Sequence, residues 1–154
     1  MPVGSSVEVV GVKETIKALR ALDPEHKKEF VRAIKGVVQP MVSQARASYP
    51  AMPLSGMARP VGSRFFWDAA KVKTGVKIKN STRRDKSAVV YVTQMNPAGV
   101  IFEVAGTGNR FGQNLRPRNA RVLWPTYDRN AAGILNGVGE IVKSAEKTVQ
   151  GMVN

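Results

Sequence analysis

The chain has no cysteine in its 154 residues and a single histidine, His26. The first absence excludes disulfides and thiolate metal sites, and the second excludes a multi-histidine metal site. Acidic residues are few, 11 Asp+Glu against 24 Lys+Arg, and they are scattered: Glu8, Glu14, Asp23, Glu25, Glu29, Asp68, Asp85, Glu103, Asp128, Glu140 and Glu146. A metal-dependent nuclease or phosphatase needs clustered carboxylates, so the sequence reads against an enzyme and calls for no cofactor. Aromatic residues make up only 6% of the chain. No apolar run approaches the length of a membrane span, and Met1–Ser6 lacks the basic-then-apolar order of a secretory signal. There is no internal repeat and no low-complexity tract.

What is present is a strong cationic excess, net +13 with a pI near 10.5, on an ordinary 43% hydrophobic content. Such a charge attracts polyanions without specifying a fold. The length fits one domain with a core of its own. Cysteine-free composition fits synthesis in a reducing cytoplasm.

Periodicity outlines an α+β chain. Val7-Glu8-Val9-Val10 reads as a short strand, and Val12, Ile16, Leu19 and Leu22 recur at helical spacing. Asp23-Pro24-Glu25 has the chemistry of a helix start: a capping acid, a proline at the first helical position and a second acid at the positive end of the dipole. The helix that follows should reach Ser48. Its stripe of Phe30, Ile34, Val37, Met41 and Ala45 is widened by Val31, Val38 and Val42, so it should be covered on more than one side. Pro40 predicts a kink near Gly36–Pro40. Residues 50–66 form a loop with an apolar content of Met52, Leu54, Met57 and Val61. Phe65-Phe66-Trp67 ends it, either as core filling or as an interface anchor.

Lys71 to Lys79 alternates, with Val72, Val76 and Ile78 on one parity and Lys71, Lys73, Lys77 and Lys79 on the other. This predicts a strand with one apolar and one lysine face. A basic turn with Arg83 and Arg84 leads to a second, antiparallel strand over Ala88–Met95. The stretch from Asn96 to Gly108 is the most unusual: a turn signal, an apolar segment carrying one acid, Glu103, and closing glycines. It reads as a buried turn of helix or a strand, with Glu103 at its edge, and an ion pair with an arginine is the expected fate of that acid. A second loop over about 107–121 carries Arg110, Arg116, Arg118 and Arg121 and no acid. Val122-Leu123-Trp124-Pro125 reads as a last short strand. Asp128 then caps a closing helix with apolar residues at Ile134, Leu135, Val138, Ile141, Val142, Ala145 and Val149. Gly133 and Gly137, one turn apart, read as a place where another backbone comes close.

Gly106-Thr107-Gly108-Asn109-Arg110-Phe111-Gly112 lacks the lysine-hydroxyl ending of a phosphate loop and the context of a dinucleotide site. The lysine strand and arginine loop fit sequence-independent contact with a phosphate backbone. No helix presents base-reading residues.

The order of parts resembles the small head–tail joining proteins of long-tailed bacteriophages, known as neck, tail-completion or tail-terminator proteins. The resemblance begins with Val9-Val10-Gly11-Val12-Lys13-Glu14 and the amphipathic helix after it. It continues through Ala45-Arg46-Ala47-Ser48-Tyr49-Pro50 at the end of the long helix. The centre, Phe102-Glu103-Val104-Ala105-Gly106-Thr107, is similar to the family's "apolar-Glu-Phe-Gly-Thr" signature. Val122-Leu123-Trp124-Pro125 and the closing helix complete it. The family's usual "Thr-Gly-x-Leu-x-x-Ser" is replaced here by Leu54-Ser55-Gly56-Met57-Ala58-Arg59. The resemblance implies a small antiparallel sheet packed against the long helix, with a C-terminal helix. It also implies a subunit of a ring, a hexamer in the family's pattern, around the channel through which DNA leaves the head.

On this reading the protein is a virion component of the neck or tail end, made in the host cytoplasm. Its partners are copies of itself, the neighbouring connector, head-closure and tail-tube proteins, and packaged double-stranded DNA held without sequence preference; no membrane is involved. Lys71, Lys73, Lys77, Lys79, Arg83 and Arg84 would face the DNA or the lumen. Met52, Leu54, Met57, Phe65, Phe66, Arg110, Arg116 and Arg118 would form subunit or neighbour interfaces. Phe102, Glu103, Gly106 and Thr107 would be the family motif. A stand-alone nucleic-acid-binding module is the alternative.

Overall fold

The structure is a computed structural model that describes residues 15, 17, 18, 24–54, 56–80, 90–104 and 121–153. The elements in order are α1 (Pro24–Ser48), α2 (Ala69–Gly75), β1 (Val76–Asn80), β2 (Val90–Gln94), α3 (Pro97–Val104) and α4 (Leu123–Val153). β1 and β2 pair as a two-stranded antiparallel sheet, so the fold is α+β, as expected. Just beyond the strand ends, the Met95 amide donates to the Gly75 carbonyl at 2.9 Å.

The long helix forms where the sequence places it. Pro24 is its first residue, and Glu25 in the first turn pairs with Lys28 at 3.1 Å. Residues on both sides of Pro40 are helical. Thr15, Lys17 and Ala18 are helical. The remainder of that first helix, the strand over Val7–Val10 and the loop from Gly106 to Arg118 lie outside the described residues.

Two expectations are corrected. Lys71 and Lys73 are not on a strand: Ala69–Gly75 is helical, and only Val76–Asn80 is extended. The reason is local. Asp68 caps the segment by accepting the Lys71 amide at 3.2 Å, and the helix stops as Gly75 meets the β-branched Val76. Alternating residues fit either state over so short a run. Val122–Pro125 is likewise not a strand, because α4 starts at Leu123 and contains Pro125 and Asp128. Pro125 is its third residue, and first-turn amides have no acceptor within the helix, so the missing N–H costs nothing there.

Two compact units are present, and neither is one continuous stretch of chain: one draws on residues up to Val38, on 80–91 and on residues from Ala132 onward, the other on 39–79 and 92–131. The first is held by the amphipathic faces of α1 and α4. Phe30, Ile34, Val138 and Val142 are buried together, with Val37, Val90, Ile134, Ile141, Ala145 and Val149 packed around them. Gly137 lets Val37 approach: a Cβ there would lie 2.8 Å from a Val37 methyl. The close neighbour is thus a side chain, not a backbone, and a Cβ on Gly133 would meet nothing within 4 Å.

The second unit buries Met41, Val42, Ala45, Tyr49, Trp67, Val72, Val76, Ala98, Phe102 and Val122. Phe102 is its centre, with its ring centroid 5.9 Å from that of Tyr49 and 5.2 Å from that of Trp67, both in tilted geometry. α2 packs against α3. Gln94, buried at the end of β2, joins them: its amide donates to the Val72 carbonyl at 3.0 Å and its oxygen accepts the Asn96 N–H at 2.9 Å. Arg46 fastens α1 to β1 by donating from Nε and Nη2 to the Val76 carbonyl at 3.2 and 2.7 Å.

Candidate functional site: a buried carboxylate and an exposed apolar loop

The stretch around Glu103 is helical, one of the two alternatives the sequence left open. Asn96 caps α3, accepting the Gly99 N–H on its side chain at 3.0 Å, and Pro97 fills the first helical position. Glu103 does not lie at an edge. It is buried at 6% exposure, and its bonds differ from the arginine ion pair expected of it. The Tyr49 hydroxyl donates to one carboxylate oxygen. The Val122 amide donates to the other at 3.1 Å, and the Leu123 amide reaches both oxygens at 3.4 Å.

Glu103 therefore caps α4 from another helix. The first amides of a helix have no internal acceptor and carry partial positive charge, so a carboxylate placed there meets both needs. It ties the end of α1, the last turn of α3 and the start of α4 into one knot. Burial, and then the bond and charge of Glu103, raise the Tyr49 pKa far above the ordinary phenol value, so Tyr49 is a neutral donor. Arg121 lies over the outer part of this knot, its guanidinium carbon 5.8 Å from the Phe102 ring centroid. The arrangement is structural in its chemistry: every partner of the carboxylate is a donor held by the fold. Among the described residues no group of three or more His, Asp or Glu could hold a metal ion. No described helix is long and apolar enough to cross a membrane.

The predicted cationic face is only partly assembled. Lys71 and Lys73 project from α2, and Lys71 pairs with Asp68 at 3.6 Å. Lys77 and Lys79 do share one face of β1, opposite Val76 and Ile78. Arg83, Arg84, Arg110, Arg116 and Arg118 lie outside the described residues, as do Gly106 and Thr107 of the motif.

The loop between α1 and α2 is where the sequence placed an interface. The aromatic run is split between core and surface: Trp67 is buried against Phe102, Phe66 is half-buried, and Phe65 is 41% exposed. Met52 and Val61 stand 76% and 84% exposed, while Leu54 and Met57 are half-buried. Sequence reading missed two residues that organise this unit, Tyr49 and Gln94. A tyrosine at the end of a helix and a glutamine in a strand carry no local signal, because their partners lie 54 and 22 residues away.

Comparison with protein-family models, curated proteins and solved structures returned no match.

Proposed function

We propose that the protein is a structural subunit of the head–tail junction or tail end of a long-tailed bacteriophage, assembling as a ring around the DNA channel. The observation that carries the reading of an assembly component is the loop from Ala51 to Phe66; the ring is what the resemblance implies. It holds Met52, Val61 and Phe65 in solvent on a backbone fixed by its own hydrogen bonds. Apolar side chains displayed on an ordered loop are a feature of surfaces that are covered in an assembly. The resemblance of the Phe102–Thr107 stretch to the phage family supplies the kind of assembly. Glu103, the acid of that stretch, caps a helix, which suits a motif shared for the fold rather than for catalysis.

Lumen contact with DNA rests on Lys77 and Lys79. Each phosphate neutralised contributes about −0.9 to the slope of log affinity against log salt. The test is native mass in moderate salt, with and without a short duplex, for the wild type and for Lys77→Ala/Lys79→Ala. A discrete oligomer that ignores free duplex supports the ring. A monomer that binds duplex tightly, with a salt slope that falls by about 2 in the double variant, supports a stand-alone nucleic-acid-binding module instead. The shared face of Lys77 and Lys79 favours that second reading.

A further inference from the structure

The 51–66 loop carries more order than a connection needs. Trp67 closes it by donating its indole N–H to the Ala51 carbonyl at 3.1 Å. Inside, the amides of Met57, Ser63 and Phe66 donate to the carbonyls of Leu54, Pro60 and Ser63 at 3.0, 3.1 and 3.0 Å. Gly56 and Gly62 supply the turns with φ of 84° and 89°, in the region that favours glycine. Arg59 folds back to donate to the Gly56 and Ala58 carbonyls at 3.2 and 2.7 Å. A compact loop tied in this way presents its side chains with little further ordering on binding.

Its charge is one-sided. From Tyr49 to Trp67 the chain has Arg59 and Arg64 and no acid. The Arg64 guanidinium lies 5.7 Å from the centroid of the exposed Phe65 ring, so charge and apolar surface are presented together. The nearest acid, Asp68, is engaged in capping α2 and pairing with Lys71.

A second copy of this chain is a poor occupant. Loop against loop would set Arg59 and Arg64 against themselves, and like charges across an interface oppose binding. Loop against another face would need an acidic surface on a chain with 24 Lys+Arg and 11 Asp+Glu. Among the described residues the exposed acids Glu25, Glu29, Asp128, Glu140 and Glu146 sit on helices beside Lys27, Lys28, Arg129, Lys143 and Lys147.

We propose that the 51–66 loop is a docking surface for a different protein whose face is acidic with apolar side chains. Val61 and Phe65 are the apolar anchors, and Arg59 and Arg64 read the charge. This deepens the junction reading and rests on it for the setting. It assigns the loop to a neighbouring component rather than to the ring's own subunit contacts.

The test uses the full chain and fluorescent helical peptides in three forms: glutamate with leucine, glutamate with serine, and lysine with leucine. Wild-type protein should bind the glutamate–leucine form about tenfold more tightly than either other form, the scale of one well-packed anchor. Bound peptide should slow tryptic cleavage after Arg64. Val61→Ser/Phe65→Ser and, separately, Arg64→Glu should each lose about tenfold in affinity. Native mass and melting temperature should be unchanged in both.

Equal binding of both glutamate peptides overturns the proposal, because charge alone then suffices. Retained affinity in the variants overturns it as well, as does a loss of oligomer in either variant, which would make a second copy the occupant. Loop-dependent binding to phosphatidylglycerol vesicles without peptide binding would assign the surface to a membrane. A ring with no loop-dependent peptide binding removes this proposal and leaves the ring reading. Loop-dependent binding by a chain that forms no ring does the reverse.

Discussion

The clearest perturbation is removal of the Glu103 carboxylate. Glu103→Ala leaves the Tyr49 hydroxyl and the Val122 and Leu123 amides without their acceptor, in a place where water does not replace it. A hydrogen bond to a charged group contributes about 1.5–3 kcal/mol, and two of these contacts are well formed. The helix-terminal charge interaction lies in the same range or below. These terms overlap, since one carboxylate makes them all, so the loss should be about 3–5 kcal/mol rather than their sum. Glu103→Gln keeps the shape and one acceptor but loses the charge, and should lose about 1–2 kcal/mol. Tyr49→Phe removes a single donor and should lose about 1.5–3 kcal/mol. Urea unfolding of the three variants and of Tyr49→Phe/Glu103→Gln gives the coupling directly, expected at about 1–2 kcal/mol for residues in contact. If Glu103→Ala unfolds within about 1 kcal/mol of wild type, the capping argument fails.

The raised Tyr49 pKa has a sign that can be checked. Below the ordinary phenol value of 10.0 both states are protonated, whereas above it only the unfolded state ionises, so wild-type stability should fall by about 1.4 kcal/mol in total between pH 9 and 11 from this residue, a loss that Tyr49→Phe should lack in urea titrations over that range. Gly99→Ala would set a Cβ 2.6 Å from Gln94 Cδ and displace that side chain from Val72 and Asn96, destabilising by about 1–3 kcal/mol in thermal melts. Gly133→Ala and Gly139→Ala meet nothing within 4 Å and should each stabilise the chain by up to about 1 kcal/mol in the same assay. Asp68→Ala removes the cap of α2 and should lower stability by about 1 kcal/mol in urea unfolding.

What could be read in advance was governed by the range of the interactions. α1 was legible because its start signal, apolar stripe and end all lie within the helix. α4 was legible for the same reason from Ala131 onward. Its start was not, because the carboxylate that accepts its first amides is Glu103, 20 residues before Leu123. Val122–Pro125 alone looks extended, and an acid supplied from α3 caps it as the opening of a helix. The lysine alternation failed for a different reason. A period of two over nine residues is weak beside a capping Asp68, and the helix took the first half of the run. The loop's apolar content was visible in composition, but the split of Phe65, Phe66 and Trp67 between solvent and core depends on Phe102, which lies far along the chain.

The two features singled out in the fold differ in what they ask of a partner. The Glu103 carboxylate is satisfied from within, by the Tyr49 hydroxyl and two amides of its own chain, so altering it should unfold the protein before it changes any function. The 51–66 loop is incomplete in the opposite sense. Its backbone is satisfied and its apolar side chains are not. Val61 is 84% exposed, so replacing it should leave stability within about 0.5 kcal/mol of wild type. A residue that can be changed without loss of stability, on a backbone held in one shape, is free to be selected for what it contacts. That separation makes the two readings independent in the laboratory. Stability variants report on Glu103 and Tyr49, and binding variants report on Val61, Arg64 and Phe65. A result in which Val61→Ser unfolds the protein, or Glu103→Ala alters binding at full stability, would reverse the assignment of roles.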